Sequence, residues 1–381
     1  MGSWQAFEPR GETMLARGRV TAAVVVAGVA GSIFAAPLAI GGVKHENAVE
    51  FTLKFGYVTG RPHPYGQTMT QFEANVEKAS AGRIDVVTLP VYAQGSDEQL
   101  YADIKGGTVE GGAVSTAVWP NTGGVKAFIP LQMPFLLDSY KFEERIINGS
   151  SGVAKRMIAS ASAKSGLKVL GVFEGGMRHI VTKDKPINSL ADLSGKKLRA
   201  VPSNPLIANM KALGISPVPL TVGQVFQGLK EGVVDGAEAN SALIRTFRWN
   251  EAGGQHVSLI NWFPFPAAVA MNQAAFDKLP ADLQKVITDQ AVALPTFSIS
   301  VVDGTANKID IPTLLCNAAI GPVKYHKVPD AVRKQMIKKS QGVIKAQIKD
   351  PEVRAIYNTI ARLKSKFPTQ DSDLPPATCL E

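Results

Sequence analysis

The chain is poor in the residues from which metal, disulfide and nucleophile chemistry is built. Two cysteines in 381 residues, Cys316 and Cys379, are too few for a disulfide scaffold and too far apart for a metal knuckle. They form either one bridge pinning the tail or two separate thiols. Five histidines, His45, His63, His179, His256 and His326, stand without an i, i+4 pair or a cysteine cluster nearby, so no metal site is expected. Gly195-Lys196 is followed by Lys197 where a phosphate loop needs a hydroxyl for magnesium. No G-x-G-x-x-G turn follows a strand, and no G-x-S-x-G elbow occurs. No cofactor is expected, and catalysis is disfavoured; the one acid–base pair that can be nominated is Glu238 with His179.

Long apolar runs are scarce as well. Arg17 and Arg19 precede a stretch over 20–40 rich in Ala, Val and Gly, the order of a secretory signal. Export to the periplasm is expected, with Met14 as an alternative start and Ala39-Ile40-Gly41 as the cleavage site; an uncleaved anchor is the alternative. No cysteine follows, so a lipid anchor at a processed N-terminus is not expected.

What is present describes an ordinary globular protein, 45% hydrophobic and 19% charged, too long for one hydrophobic core and so expected to have two lobes. The net charge of +9 is local. Twelve Lys or Arg fall between Lys324 and Lys366 against Asp330, Asp350 and Glu352. Val332, Met336 and Val343 recur among them at helical spacing, which reads as a solvated amphipathic face. No aromatics are interleaved as stacking platforms, so nucleic acid is not an expected partner.

Phe51, Leu53, Phe55 and Tyr57 alternate with polar or small residues as in a half-buried strand. Met69, Phe72 and Val76 then mark a helix ended by Ala81-Gly82, and 84–89 supplies a second strand. The alternation continues with a helix over 98–105, a strand near 112–114, helices within 141–164 and a strand over 167–173. A second block follows: strand 197–201, helices 206–213 and 222–231, strand 234–238. Thr221 and Gln224 have capping-box spacing. An apolar strand over 267–271 and a mostly helical stretch over 276–301 come next. Two blocks of alternating elements predict two α/β lobes with parallel-rich sheets and a cleft between them.

Open α/β sheets bind ligands beyond the carboxyl ends of their strands, and two arginines fall there. Arg199 sits in Lys197-Leu198-Arg199-Ala200-Val201, just before the strand-ending Pro202, and Arg178 follows the Gly175-Gly176 turn. A guanidinium's planar fork matches a carboxylate. Pairing of each arginine with a carboxylate inside its own lobe is the competing reading.

Around these arginines the sequence resembles the solute-binding subunits of TRAP transporters, the DctP-like family. The blocks that carry the likeness run from about Phe51 to Val286. They include Ala81-Gly82-Arg83-Ile84, Gly95-Ser96-Asp97, Met133-Pro134-Phe135-Leu136 and Leu193-Ser194-Gly195-Lys196-Lys197-Leu198-Arg199. Further on come Leu213-Gly214-Ile215-Ser216-Pro217-Val218-Pro219 and Gly232-Val233-Val234-Asp235-Gly236-Ala237-Glu238.

The resemblance implies a two-lobed periplasmic-binding-protein-like α/β clamp with a long helix contacting both lobes. It also implies a ligand carboxylate anchored on Arg199, with Arg178 assisting and Glu238 lining the cleft. Ala239 stands where the family commonly has Asn, followed here by Asn240, and Gln94 stands where it usually has Leu; both polar residues are candidate ligand contacts. Trp119, Trp262, Phe263 and Phe265 are candidate walls, with core packing as their alternative. The expected division is a signal over 1–41, lobe I over 51–175 and about 264–304, lobe II over 176–263 and about 305–366, and a tail over 367–381.

The function so implied is capture of a small organic acid by a monomeric receptor and delivery to TRAP permease subunits in the membrane. A ligand-presenting sensor and, behind it, a cleft enzyme are the alternatives.

Overall fold

The alternation at the start becomes a strand because every second side chain there finds a core. β1 (Phe51–Tyr57) buries Leu53, Phe55 and Tyr57. Pro64 opens the next helix, Pro64–Ala79, whose N-cap His63 accepts the Tyr65 amide proton on Nδ1 at 3.1 Å. Ala81 and Gly82, both at positive φ, end it, and β2 (Ile84–Leu89) returns parallel to β1. In the computed structural model, residues 48–305, 310–316 and 322–369 are described. The expected export signal, nearly all of the tail, and Cys379 lie outside the described residues; Cys316 is exposed.

The remaining strands are β3 (Gly111–Ser115), β4 (Leu167–Glu174), β5 (His179–Thr182), β6 (Lys197–Ala200), β7 (Ser216–Pro219), β8 (Gly236–Ala239), β9 (His256–Leu259), β10 (Pro266–Asn272) and β11 (Lys324–Lys327). They form two sheets, ordered β2-β1-β3-β10-β4 and β11-β9-β5-β8-β6-β7. Pairing is parallel except at β10 in the first sheet and β5 in the second. Those two are the strands reached directly from a strand of the other sheet: β4 leads through 175–178 into β5, and β9 leads through 260–265 into β10; β11, which enters the second sheet after helix Ala281–Thr305, is parallel to β9. The expected parallel-rich α/β architecture with two sheets is present, and the exceptions mark the two direct strand-to-strand crossings.

Helix Ala281–Thr305 packs along β4 and helix Pro64–Ala79 of the first layer. Its Val302 lines a small cavity with Asn240, Ser241 and Ala242 of the second, so this long helix touches both. Helix Asp330–Gln347 lies on helix Asn204–Ala212 beside the second sheet, whereas helix Pro351–Lys364 lies on the segment Lys126–Gln132 beside the first. Buried Asp138 holds the pair together, accepting from Arg333 Nη2 at 2.8 Å and Lys364 Nζ at 2.6 Å. Among the described residues no helix is long and apolar enough to cross a membrane.

Two expectations are corrected locally, and three strands are added. The buried stripe of helix Asp330–Gln347 is Val332, Met336, Ser340 and Ile344, a four-residue spacing that leaves Val343 half exposed. The stretch 222–231 begins as a 3₁₀ turn, Val222–Gln224, held by the Thr221–Gln224 capping box, and becomes α-helical only at Val225–Lys230. The strands β7, β9 and β11 have no counterpart among the expected elements; β7, Ser-Pro-Val-Pro, tolerates its prolines as an edge strand.

Candidate functional site

The two crossing segments run side by side as a ribbon. Arg178 N donates to Phe263 O at 2.8 Å, Trp262 N to Arg178 O at 2.9 Å and Gly175 N to Phe265 O at 3.0 Å. Beside this ribbon lies a narrow cavity lined by Ser115 at the end of β3 and Thr116 just after it, by Gln132, Arg178 and Val201, and by the run Phe263 to Pro266. It sits beyond the carboxyl ends of β3 and β6, where such sheets bind ligands. Its free volume, ≈ 10 Å³ for the centre of a water-sized sphere, is room for about one water. A roomier groove of ≈ 290 Å³, bordered by Arg145, Arg156 and Leu363, is open and lies away from the crossings.

Both predicted arginines converge on Glu238, which is fully buried. Arg199 Nη1 donates to Glu238 Oε1 at 2.6 Å, and its Nε donates to Leu220 O at 2.9 Å. Arg178 Nη1 lies 3.0 Å from Glu238 Oε2, but the alignment is too poor for a hydrogen bond, and this nitrogen donates instead to the Glu238 carbonyl at 3.4 Å. The carboxylate pairing weighed against ligand binding is therefore realised across strands, at one shared glutamate. It does not use up Arg178: this guanidinium, 1% exposed, stacks 3.7 Å over the Phe265 ring, and its Nε is buried without a partner. Arg178 is on the cavity wall; Arg199 is not among the lining side chains.

The other candidates separate in the same way. Phe263 and Phe265 line the cavity, and Tyr65 stacks on the far side of Phe265 at 4.7 Å. Trp119 is buried between Tyr101 and Phe128, and Trp262 packs on Phe263; neither lines the cavity, and the core alternative holds for both. Asn240 caps helix Ser241–Thr246, accepting from Leu243 N at 2.9 Å and donating to Gly175 O at 2.8 Å, so its amide is engaged by backbone. Gln94 is exposed at a turn where Val91, Ala93 and Gln94 all have positive φ. Its carbonyl lies so close to Gly223 of the facing segment that a Cβ there would come within 2.0 Å.

The nominated pair Glu238 and His179 is not assembled. In the β5–β8 register Glu238 stands opposite Ile180, and His179 opposite Ala239. Opposed residues share a face and successive residues alternate, so the two side chains project to opposite sides. His179 Nδ1 is occupied by the amides of Ile260 at 3.2 Å and Asn261 at 3.3 Å.

Sequence reasoning missed Gln132, Thr116 and a second buried carboxylate, Glu174, at the end of β4. Glu174 Oε1 accepts from Gly176 N at 2.6 Å and Phe265 N at 3.0 Å, one contact on each crossing segment. Glu143, on helix Tyr140–Ile147, is buried beside it; burial and then the Glu174 charge push its pKa well above the usual glutamate range, and burial raises Glu174 too. For groups whose folded pKa is raised, stability is fully present below the unfolded value and declines as pH rises through the folded one. Wild type should therefore lose stability relative to Glu143→Gln as pH increases above ~4.5. Melting temperatures of both proteins from pH 4 to pH 9 test this, and parallel curves would contradict it.

The class is now defined: two α/β layers joined by paired crossings, with a buried arginine at the strand ends between them, make a two-lobed solute-binding protein. Residues 55–350 match the DctP family, bacterial extracellular solute-binding protein family 7, and the chain belongs to that family, the solute receptors of TRAP transporters. A C4-dicarboxylate-binding periplasmic protein, DctP, of Rhodobacter capsulatus is 27% identical over 74% of this chain and 81% of its own. A solute-binding protein of Verminephrobacter eiseniae is 28% identical over 64% and 71%. The crystal structure of the sugar acid binding protein DctPAm of Advenella mimigardefordensis, in complex with galactonate, superposes with a TM-score of 0.75 at 26% identity, covering 83% of this chain and 99% of that one.

Proposed function

We propose that this protein is a periplasmic receptor that captures one small organic acid by its carboxylate and delivers it to the membrane subunits of a TRAP permease. The observation that carries the reading is Arg178, a buried guanidinium on the cavity wall with an unpartnered Nε. A buried charged donor without a partner is costly, and an entering carboxylate relieves that cost. Arg199 adds a second positive charge on the other side of Glu238. The family relationship supports the permease as partner, and the signal-like order of 1–41 supports export.

Lobe I is proposed to comprise 51–175, about 264–304 and helix Pro351–Lys364, which packs on the segment Lys126–Gln132 and so does not belong with the rest of the expected 305–366, and lobe II 176–263 and about 305–350, turning about the crossings at 175–178 and 260–265. A ligand larger than water requires these lobes to part, since the described cavity admits about one water. The protein acts as a binder and not as an enzyme. Native mass spectrometry with a panel of organic acids and their carboxamides tests the proposal. One acid per chain, recovered chemically unchanged, is expected; carboxamides bound as tightly as the acids would refute the carboxylate anchor.

A further inference from the structure

Glu143 and Glu174 form a buried acid pair that carboxylate binding does not use, placed where both crossings meet. Glu174, the last residue of β4, has one oxygen engaged by the amides of Gly176 and Phe265. Its own N–H donates to Ser298 Oγ of helix Ala281–Thr305 at 3.0 Å, which ties the pair to the long helix as well. Glu174 Oε2 and both oxygens of Glu143 are buried and receive no donor among the described residues. The two carboxyl groups lie within hydrogen-bonding reach of each other, acceptor against acceptor, and such a contact bonds only through a proton. Two bare carboxylates there would repel each other out of water. One shared proton turns the same contact into a charge-assisted O–H···O bond.

The surrounding groups supply no other compensation. Arg178 is the cation that acts on Glu174, and it stands 3.0 Å from the carboxylate of Glu238. Tyr65 faces Glu174 from helix Pro64–Ala79 but donates its hydroxyl proton to Phe265 O at 3.0 Å. His63, edge-on to Tyr65 and Phe265, is held neutral by burial and by the Arg178 charge. Asp310, across a small cavity from Gly175 and Gly176, is paired with Arg245. The lysines and arginines of helices Tyr140–Ile147 and Gly152–Ser165, and the charged residues of helix Ala281–Thr305, are exposed. Asp97, which also acts on Tyr65, is a separate buried acid, pushed up to about 7 by burial.

The crossing itself keeps water from the pair. Tyr140, Met177, Ile299 and Val302 form a small apolar cluster that joins Glu143's helix, the crossing 175–178 and the long helix, and Tyr140 Oη accepts from Met177 N at 2.9 Å. Glu143 stands about one helical turn after Tyr140, and Glu174 lies three residues before Met177. Turning the crossing moves Met177 off Tyr140 and admits water, and a solvated carboxylic acid gives up its proton more readily.

We propose that Glu143 and Glu174 share one proton in the closed clamp and release it to solvent when the crossings turn, which makes closure, and with it retention of the solute, proton-linked. The inference rests on the proposed parting of the lobes. Burial and then the Glu174 charge raise Glu143, and burial raises Glu174. A group so raised favours the closed form fully at low pH and ceases to do so as pH rises through its closed-form pKa. Acid therefore closes the clamp, and alkali opens it.

Infrared titration of the ligand-free full chain, read at the C=O stretch of protonated carboxyl groups, tests the shared proton. The difference between wild type and Glu143→Gln separates the pair from Asp97. A carboxylic-acid band present in wild type alone should persist well above ~4.5, where exposed glutamates ionise. Gly223→Ala sets a methyl group 2.0 Å from the Gln94 carbonyl oxygen of the facing segment and so resists closing; its band should titrate about one pH unit lower, the counterpart of a roughly tenfold change in the ratio of open to closed forms. By solution scattering, the radius of gyration of wild type should grow from pH 5 to pH 9, and that of Glu143→Gln should stay constant. Glu174→Gln keeps an oxygen for the Gly176 and Phe265 amides and is the second variant if Glu143→Gln does not fold. A band that neither substitution removes would overturn the shared proton. Equal titration midpoints in wild type and Gly223→Ala, with radii that differ, would overturn its link to closure. Either result leaves the receptor reading standing, whereas equal radii for wild type and Gly223→Ala at every pH would overturn the parting of the lobes and this inference with it.

Discussion

Arg178→Ala is expected to lower affinity for the cognate acid by roughly 30-fold to several-thousand-fold, because truncating one partner of a buried hydrogen-bonded charge pair costs about 2–5 kcal/mol. Its guanidinium is on the cavity wall, and its contact with Glu238 is misaligned, so most of the loss should appear in binding. Arg199→Ala should divide its effect differently. It removes the well-formed 2.6 Å bond to Glu238 Oε1 and leaves that oxygen only the Val201 amide at 3.2 Å. Glu238 is fully buried and would keep only the misaligned Arg178 at 3.0 Å as counter-charge, and a poorly compensated buried charge destabilises the fold. Arg199→Ala should therefore melt lower without ligand as well as bind more weakly. Arg199→Lys keeps a charge and loses the fork, so it should recover little. Calorimetric titration and unfolding of the ligand-free proteins separate the two roles; wild-type affinity in both alanine variants would remove the arginines from the site.

Gly223→Ala should impair closing while sparing each lobe. A methyl group at Gly223 would lie 2.0 Å from the Gln94 carbonyl oxygen, an approach no side chain tolerates without displacement of backbone. The segments that meet there belong to opposite sides of the cleft, as do Asn121 and Pro202, joined at 3.2 Å. Steric insertion at a packed contact costs about 1–3 kcal/mol, which lowers apparent affinity roughly 5- to 150-fold when only the closed form holds ligand. Solution scattering at saturating ligand should give a larger radius of gyration for Gly223→Ala than for wild type. Equal radii and equal affinities would show that closure does not need the Gln94–Gly223 contact.

The sequence by itself determined the class of fold and the place to look. Periodicities of two and 3.6 sort residues into strands and helices by which side chains leave water, and this is a local property. It predicted the β1–helix–β2 unit, the capping box at Thr221 and Gln224, and the two blocks that become two sheets. The arginines were legible for a related reason. Arg178 follows a glycine turn and Arg199 precedes a strand-ending proline, so each is placed at a strand end by its neighbours in the chain.

What those arginines face could not be read locally. Glu238 meets Arg199 because β6 and β8 are adjacent and parallel, and strand order within a sheet has no signature in any one strand's pattern. The separation of His179 from Glu238 likewise depends on a one-residue register between β5 and β8. Trp119 and Trp262 look alike to a count of aromatics, and only packing assigned both to the core. Gln132 was the least legible residue. It sits in a 3₁₀ segment beside Met133-Pro134-Phe135, and the direction of its hydrogen bond to Thr116 follows from where the single Thr116 hydroxyl proton goes, a matter settled by Pro266 some 134 residues away. Buried hydrogen-bond polarity is decided by the whole set of partners around a group, and that set exists only once the chain has closed on itself.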